Sequence, residues 1–256
     1  MNSPESISGF TGTGETTLMP AYYFSARAID ALAPVGSTIV DLGCGSGQFL
    51  AYLAGCRTDL RITGIDLAED MVDAGNEMLQ RKALGERVRL VVGDMRDFRS
   101  VVQGRADLIS SVFALHHLPS HSDLMSCLRE IGRVVSAEGA RLWLFDHARP
   151  KREATARGFP EIFGPRSSAA FKTDSRNSVR AAWSFEELRE ALGSTIEMRV
   201  SSSLARLFPL YQAHWLGEER SDADPATWRT REALLPPGAA WDAKSLARIL
   251  RRPPGW

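Results

Sequence analysis

Three carboxylates, a glycine-dense turn and a histidine pair are the residues of this chain whose types and spacing could do chemistry. Asp41 precedes Gly43, Gly45 and Gly47 in VDLGCGSGQ (40–48), directly behind a short apolar run. Glycine tolerates left-handed backbone, and its missing Cβ lets a ligand approach a helix start whose amides are still free. Asp66 ends RITGID and Asp94 ends RVRLVVGD, so each acid stands where an apolar, β-branched run stops. There a carboxylate can accept hydrogen bonds from hydroxyl or amino groups. His116 and His117 close ISSVFALHHL, and a neutral imidazole can accept a proton near neutral pH. Plainer readings stand beside these: Asp41 or Asp66 as helix caps, Asp94 or Asp97 as turn formers, Met71 and Met95 as core fillers.

The spacing removes two phosphate-binding loops. A dinucleotide loop of the GxGxxG type needs glycine at position 48, where this chain has Gln, and a P-loop needs a closing Gly-Lys-Ser/Thr.

Alternating elements must position these residues. STIVDLG, RITGID, RVRLVVGD, ADLISSVFAL and ARLWLFD read as five strands. GQFLAYLAG (closed by Gly55), AEDMVDAGNEMLQRKAL and SHSDLMSCLREIGRVVSAEG read as the helices between them. AYYFSARAIDALAP adds a helix ahead of the first strand. Strands separated by helices imply right-handed βαβ units and a mainly parallel sheet. SFEELREALG opens with a capping box, Ser184 and Glu187, and STIEMRVSSS and FPLYQAHWLG are two further strand candidates. The expected fold is therefore α/β and Rossmann-like: a mainly parallel seven-stranded sheet with helices on both faces and an insertion after the fifth strand. Residues 1–20 read as a mobile arm, 21–217 as the main domain with 147–183 inserted, and 218–256 as a C-terminal extension.

The 256 residues carry 31 Lys plus Arg against 31 Asp plus Glu, so no global field favours nucleic acid or an anionic membrane. The three cysteines have no metal-ligand spacing, which points to reduced thiols and no metal site. With no signal-peptide pattern and no apolar run of membrane-spanning length, a cytoplasmic protein is expected. Nothing in the pattern speaks to oligomeric state.

VDLGCGSG resembles the first motif of the class I S-adenosylmethionine (SAM) dependent methyltransferases of small-molecule type, and GIDLAEDMV, GDMRDF and ISSVFALHHL follow in that family's order. The resemblance covers residues 36–147 and, more weakly, 184–216. It implies a site for SAM and its product S-adenosylhomocysteine (SAH). Asp66 would take both ribose hydroxyls and Asp94 the adenine amino group. Leu67, Met71, Met95 and Val112 would supply apolar contacts, and Asp41, Gly43, Gly45 and Gly47 the methionine end. His116 or His117 would then stand near the reacting centre as a base. Tyr22, Tyr23 and His214 become candidate substrate contacts.

Segment 147–183 would be a substrate lid. It holds eight basic residues against three acidic ones, which makes Arg149 and Arg152 candidates for an acceptor bearing a carboxylate or phosphate. The expected partner is a small-molecule acceptor, methylated on oxygen, nitrogen or carbon. A peptide, protein or tRNA acceptor, a nicotinamide-dependent oxidoreductase and a SAM-binding module without turnover are the alternatives.

Overall fold

The computed structural model describes residues 13–163, 168–206, 209–220 and 225–256. Seven strands form one sheet: β1 (Thr38–Leu42), β2 (Arg61–Asp66), β3 (Val88–Val92), β4 (Leu108–Val112), β5 (Arg141–His147), β6 (Ser201–Leu204) and β7 (Tyr211–Leu216). Their order is β3-β2-β1-β4-β5-β7-β6. The first five strands are parallel, and β7 runs antiparallel to both β5 and β6. After β1 the chain builds outward through β2 and β3, then returns to lay β4 on the other side of β1. The loops leaving β1 and β4 therefore diverge and open a crevice at the carboxyl ends of the strands.

Both faces of the sheet are covered, as the near-continuous apolar strands require. Alternation divides the core in two. Ile39, Trp143 and Phe145 face one side, while Val40, Leu42, Leu142 and Leu144 face the other. On the first side pack α1 (Thr13–Leu32), α2 (Gln48–Cys56) and α3 (Glu69–Arg81), and on the second α4 (His121–Glu138) and α7 (Phe185–Thr195). Helix ends follow local chemistry. Ser120 caps α4 through the Asp123 amide, Gly139 ends it in left-handed backbone, and Ser184 and Glu187 form the expected capping box on α7. Gly55 does not close α2, which runs one residue further to Cys56.

Two expectations about organisation change. Helix α1 begins at Thr13, so residues 13–20 are helical rather than part of an irregular arm, and Pro20 lies inside the helix. Proline and the Gly/Thr composition argue against a helix there, but the helix is anchored by its buried face, Tyr23, Phe24, Ile29 and Leu32, and packing overrides propensity. The rest of the expected arm, 1–12, lies outside the described residues. Strand β6 is four residues long: α7 takes Ser194 and Thr195 from the segment expected to be strand, and residues 196–200 are irregular.

The insertion after β5 carries α5 (Glu153–Phe163) and α6 (Ala169–Ala181), with a small core of their own from Ala156, Phe159, Val179 and Leu210. The C-terminal segment, with α8 (Pro225–Ala233) and α9 (Ala239–Ile249), folds onto α1. Asp30 of α1 accepts hydrogen bonds from Trp228 Nε1 (2.6 Å) and Arg57 (2.6 Å), and Trp256 stacks on Phe24. No helix among the described residues is long and apolar enough to cross a membrane.

Candidate functional site

The crevice predicted by the strand order is a cleft of about 390 Å3, within the ~300–1,000 Å3 of small-molecule sites. Its walls come from four strand ends: Gly43–Ser46 after β1, Asp66–Leu67 after β2, Gly93 and Met95 after β3, and Phe113, Ala114 and His117 after β4. Leu18 and Tyr22 of α1, Gln48 and Phe49 of α2, Asp70 and Met71 of α3, and Asp174 of α6 complete it.

The three loop glycines all have positive φ (74°, 53° and 72°), but for different reasons. A Cβ on Gly43 would lie 2.3 Å from the Ala114 Cβ, so this glycine lets the β1 and β4 ends close on each other. Gly47 is the left-handed N-cap of α2 and packs under Leu90. Gly45 is different. Nothing lies nearer to an added Cβ than the Met71 Cε at 3.7 Å, so its missing side chain leaves open cleft. Asp66 fixes the loop from below, accepting the Gly45 amide (2.7 Å) and the Ala68 amide (3.0 Å).

Asp41 is 2% exposed at the cleft floor, and its Oδ1 accepts the Ser110 hydroxyl at 2.6 Å. Burial, with the nearby Asp66 charge, pushes its carboxyl up to about 7 against the lowering effect of Ser110. A buried carboxylate in that state is stabilised by a cation entering the cleft. Phe113 sits at φ 57°, a sparsely populated conformation for an aromatic residue, and stacks on His147 at 4.7 Å.

Behind this wall, His116 Nδ1 lies 2.7 Å from Asp146 Oδ1, and its backbone amide donates to Asp146 Oδ2 at 3.0 Å. Burial opposes charge on both groups. Their mutual attraction nonetheless raises the imidazole and lowers the carboxyl, so the pair is ionic. The neighbouring His117 ring, 4.1 Å away, faces the cleft. Burial of that ring and the charge on His116 push it down to about 4, so His117 is neutral at physiological pH.

Residues 39–139 match the methyltransferase domain family. Over that stretch the chain is similar to the class I, SAM-dependent methyltransferases. Segments of it are 34% identical to trans-aconitate 2-methyltransferase of Mycobacterium tuberculosis over 87 residues (34% of this chain, 30% of that one). They are 28% identical to 27-O-demethylrifamycin SV methyltransferase of Amycolatopsis mediterranei over 127 residues (48% and 44%). The chain spans about half or less of the length of the curated relatives it matches. In fold it is similar to a SAM-dependent methyltransferase from Aquifex aeolicus, with a TM-score of 0.58 at 19% identity over 84% of this chain and 98% of that one. It is also similar to the plantazolicin methyltransferase BpumL in complex with SAH, with a TM-score of 0.64 at 15% identity over 85% and 91%.

The residues of the cleft fit S-adenosylmethionine: an open backbone cradle at Gly45, a buried carboxylate at Asp41, Asp66 at a strand end, and apolar Leu67, Met71, Met95 and Val112 in one cleft. Other expected site residues lie elsewhere. Asp94 does not line the cleft; Arg96 grips both its oxygens (3.0 and 2.8 Å to Nε), which lowers its carboxyl, and it caps the turn Met95–Ser100. Gly47 shapes the turn without lining the cleft. Tyr23 is fully buried against Trp228 and Trp256, one helical step round from Tyr22. His214 is buried in β7, bonded to Ser202 (2.7 Å) and Gln212 (3.1 Å) and driven by burial down to about 3. Arg149 pairs with Glu187 at 2.6 Å, and Arg152 is exposed away from the cleft. His116 is second to Asp146 rather than to the cavity. Phe49, Phe113 and Asp174 also line the cleft; of these only Phe113 carries a signal in sequence, its place just past an apolar strand.

Proposed function

We propose that the protein transfers a methyl group from SAM to a small-molecule acceptor held in this cleft. The observation that carries the reading is the open Gly45 backbone flanked by Asp41 and Asp66 at the β1/β4 switch point. When bound, the cofactor supplies an electrophilic methyl on a sulfonium. Asp66 would accept the ribose hydroxyls through lone pairs not used by the loop amides, and Asp41 would face the ammonium end. Leu67 and Met71 would flank the base, with Met95 and the Gly93 backbone in the position expected of Asp94. Tyr22 and Phe49, 5.6 Å apart, and Phe113 would exclude water from the reacting centre.

Calorimetry tests the reading. SAH is expected to bind in the micromolar range and NAD far more weakly. The sign of the pH dependence follows from Asp41. An ammonium pairs with its charged form, so binding requires the proton to leave, and affinity falls as pH drops below about 7. SAH affinity that is flat from pH 5.5 to 8.5 removes Asp41 from the cofactor site, and preference for NAD removes the methyltransferase reading.

His117 would accept the acceptor's proton on a ring nitrogen. A base held down to about 4 is poorly matched to neutral pH, so His117→Ala is expected to lower kcat only about tenfold, below the range of a well-tuned base. SAH affinity should not change. A wild-type kcat in that variant leaves positioning as the whole of catalysis.

A further inference from the structure

The insertion 147–183 looks like an anion trap in sequence, and its geometry points the other way. Lys172 and Arg176 pair with Glu161 (2.7 and 3.6 Å), Arg180 with Glu153, and Arg149 with Glu187. Lys151, Arg152 and Arg157 are exposed, and Arg166 lies outside the described residues. Among the described residues no Lys or Arg lines the cleft, whereas Asp41, Asp66, Asp70 and Asp174 do.

Asp174 is the one residue that α6 contributes to the cleft wall. Helix α6 packs on the turn Leu115–His117, and the Trp183 indole just beyond it donates to the Leu115 carbonyl at 3.0 Å. This contact holds Asp174 near the turn that carries the histidines, within electrostatic reach of His116. Asp41 and Asp66 sit at the glycine-loop end. The cleft thus has an acidic floor beside the loop and a separate carboxylate beside the histidines. Phe113, Phe49 and Tyr22 line the same cleft.

Resting on the methyltransferase reading, we propose that Asp174 is the acceptor-anchoring residue, and that the acceptor is an amine with an aromatic or apolar body rather than a carboxylate or phosphate. The assignment concerns the anchor: an ammonium has no lone pair with which to attack, so the methyl goes to another group of the same molecule. A carboxylate brought into a cleft with four acids, no Lys or Arg and a neutral His117 has no cationic partner and repels Asp174, whereas an ammonium satisfies it. His116 is already paired with Asp146 at 2.7 Å, and burial raises the Asp174 carboxyl against the pull of His116, so an entering ammonium stabilises its charged form.

The test uses the full chain saturated with SAH, and ring-bearing probes matched in skeleton and opposite in charge: tyramine against 4-hydroxyphenylacetate, and two further amine–carboxylate pairs of the same kind. Ligand-observed NMR titration should show each amine binding at least tenfold tighter than its carboxylate. Asp174→Asn should abolish that preference and Asp174→Lys should reverse it, with SAH affinity within twofold of wild type in both. That SAH affinity is also the control for folding. Equal binding of each pair, preference for the carboxylates, binding of neither, or a preference that survives Asp174→Asn overturns the proposal. Failure of the wild-type chain to bind SAH overturns the methyltransferase reading instead.

Discussion

Gly43→Ala is expected to destabilise the fold by about 2–5 kcal/mol, combining left-handed strain with overpacking. The added Cβ would meet the Ala114 Cβ at 2.3 Å, where the loops leaving two paired central strands touch, and neither loop can withdraw without breaking the register Ile39–Asp41 on Leu108–Ser110. In a domain of this size that corresponds to a melting temperature lower by roughly 5–15 °C. Gly45→Ala is the control. Its φ is also positive but its Cβ has room, so only strain remains, about 1–2 kcal/mol. Its methyl would project into the cleft, so SAH affinity should fall by at least tenfold although the fold is less perturbed. Differential scanning calorimetry and SAH titration of both variants decide the matter. If Gly45→Ala loses the more stability and keeps SAH affinity, the open side of the loop does not receive the ligand.

Asp66→Ala should weaken SAH binding by about 2–3 kcal/mol, or ~30–150-fold, because hydrogen bonds to an ionised acceptor are lost. The carboxylate also holds the Gly45 and Ala68 amides, at 2.7 and 3.0 Å. Loop order is therefore lost with it, and stability should drop by about 1 kcal/mol, a shift of ~2–4 °C. Asp66→Asn separates the two effects. It retains one amide acceptor but no charge, so its melting point should lie nearer wild type while its SAH affinity stays low. An unchanged affinity in Asp66→Ala together with a large fall in melting temperature would make this residue a structural cap alone.

The difference between what was legible and what was not follows from the range of the interactions involved. The parallel sheet, the capping box at Ser184 and Glu187, and the glycine loop between a strand and a helix are encoded within a few residues of themselves. Hydrogen bonds along the chain and the strand and helix periods then suffice to read them. Asp66 at a strand end belongs to the same class.

Which of two adjacent residues faces the cleft was decided only by the tertiary structure. Tyr22 and Tyr23 are equally aromatic, but the C-terminal segment returns across more than 200 residues to bury Tyr23 under Trp228 and Trp256. His116 and His117 are identical in type, and Asp146 of β5 chooses between them by pairing with the first. The basic insertion reads as a charge excess in sequence, yet its cations find acids at separations of 11 to 38 residues and turn from the cleft. Its single inward carboxylate, Asp174, carries no local mark at all. Periodicity reports that a face is apolar and composition reports how many charges there are. Neither reports which distant element will cover the face or pair the charge, and that selection, made by packing, is what shaped the acceptor side of this site.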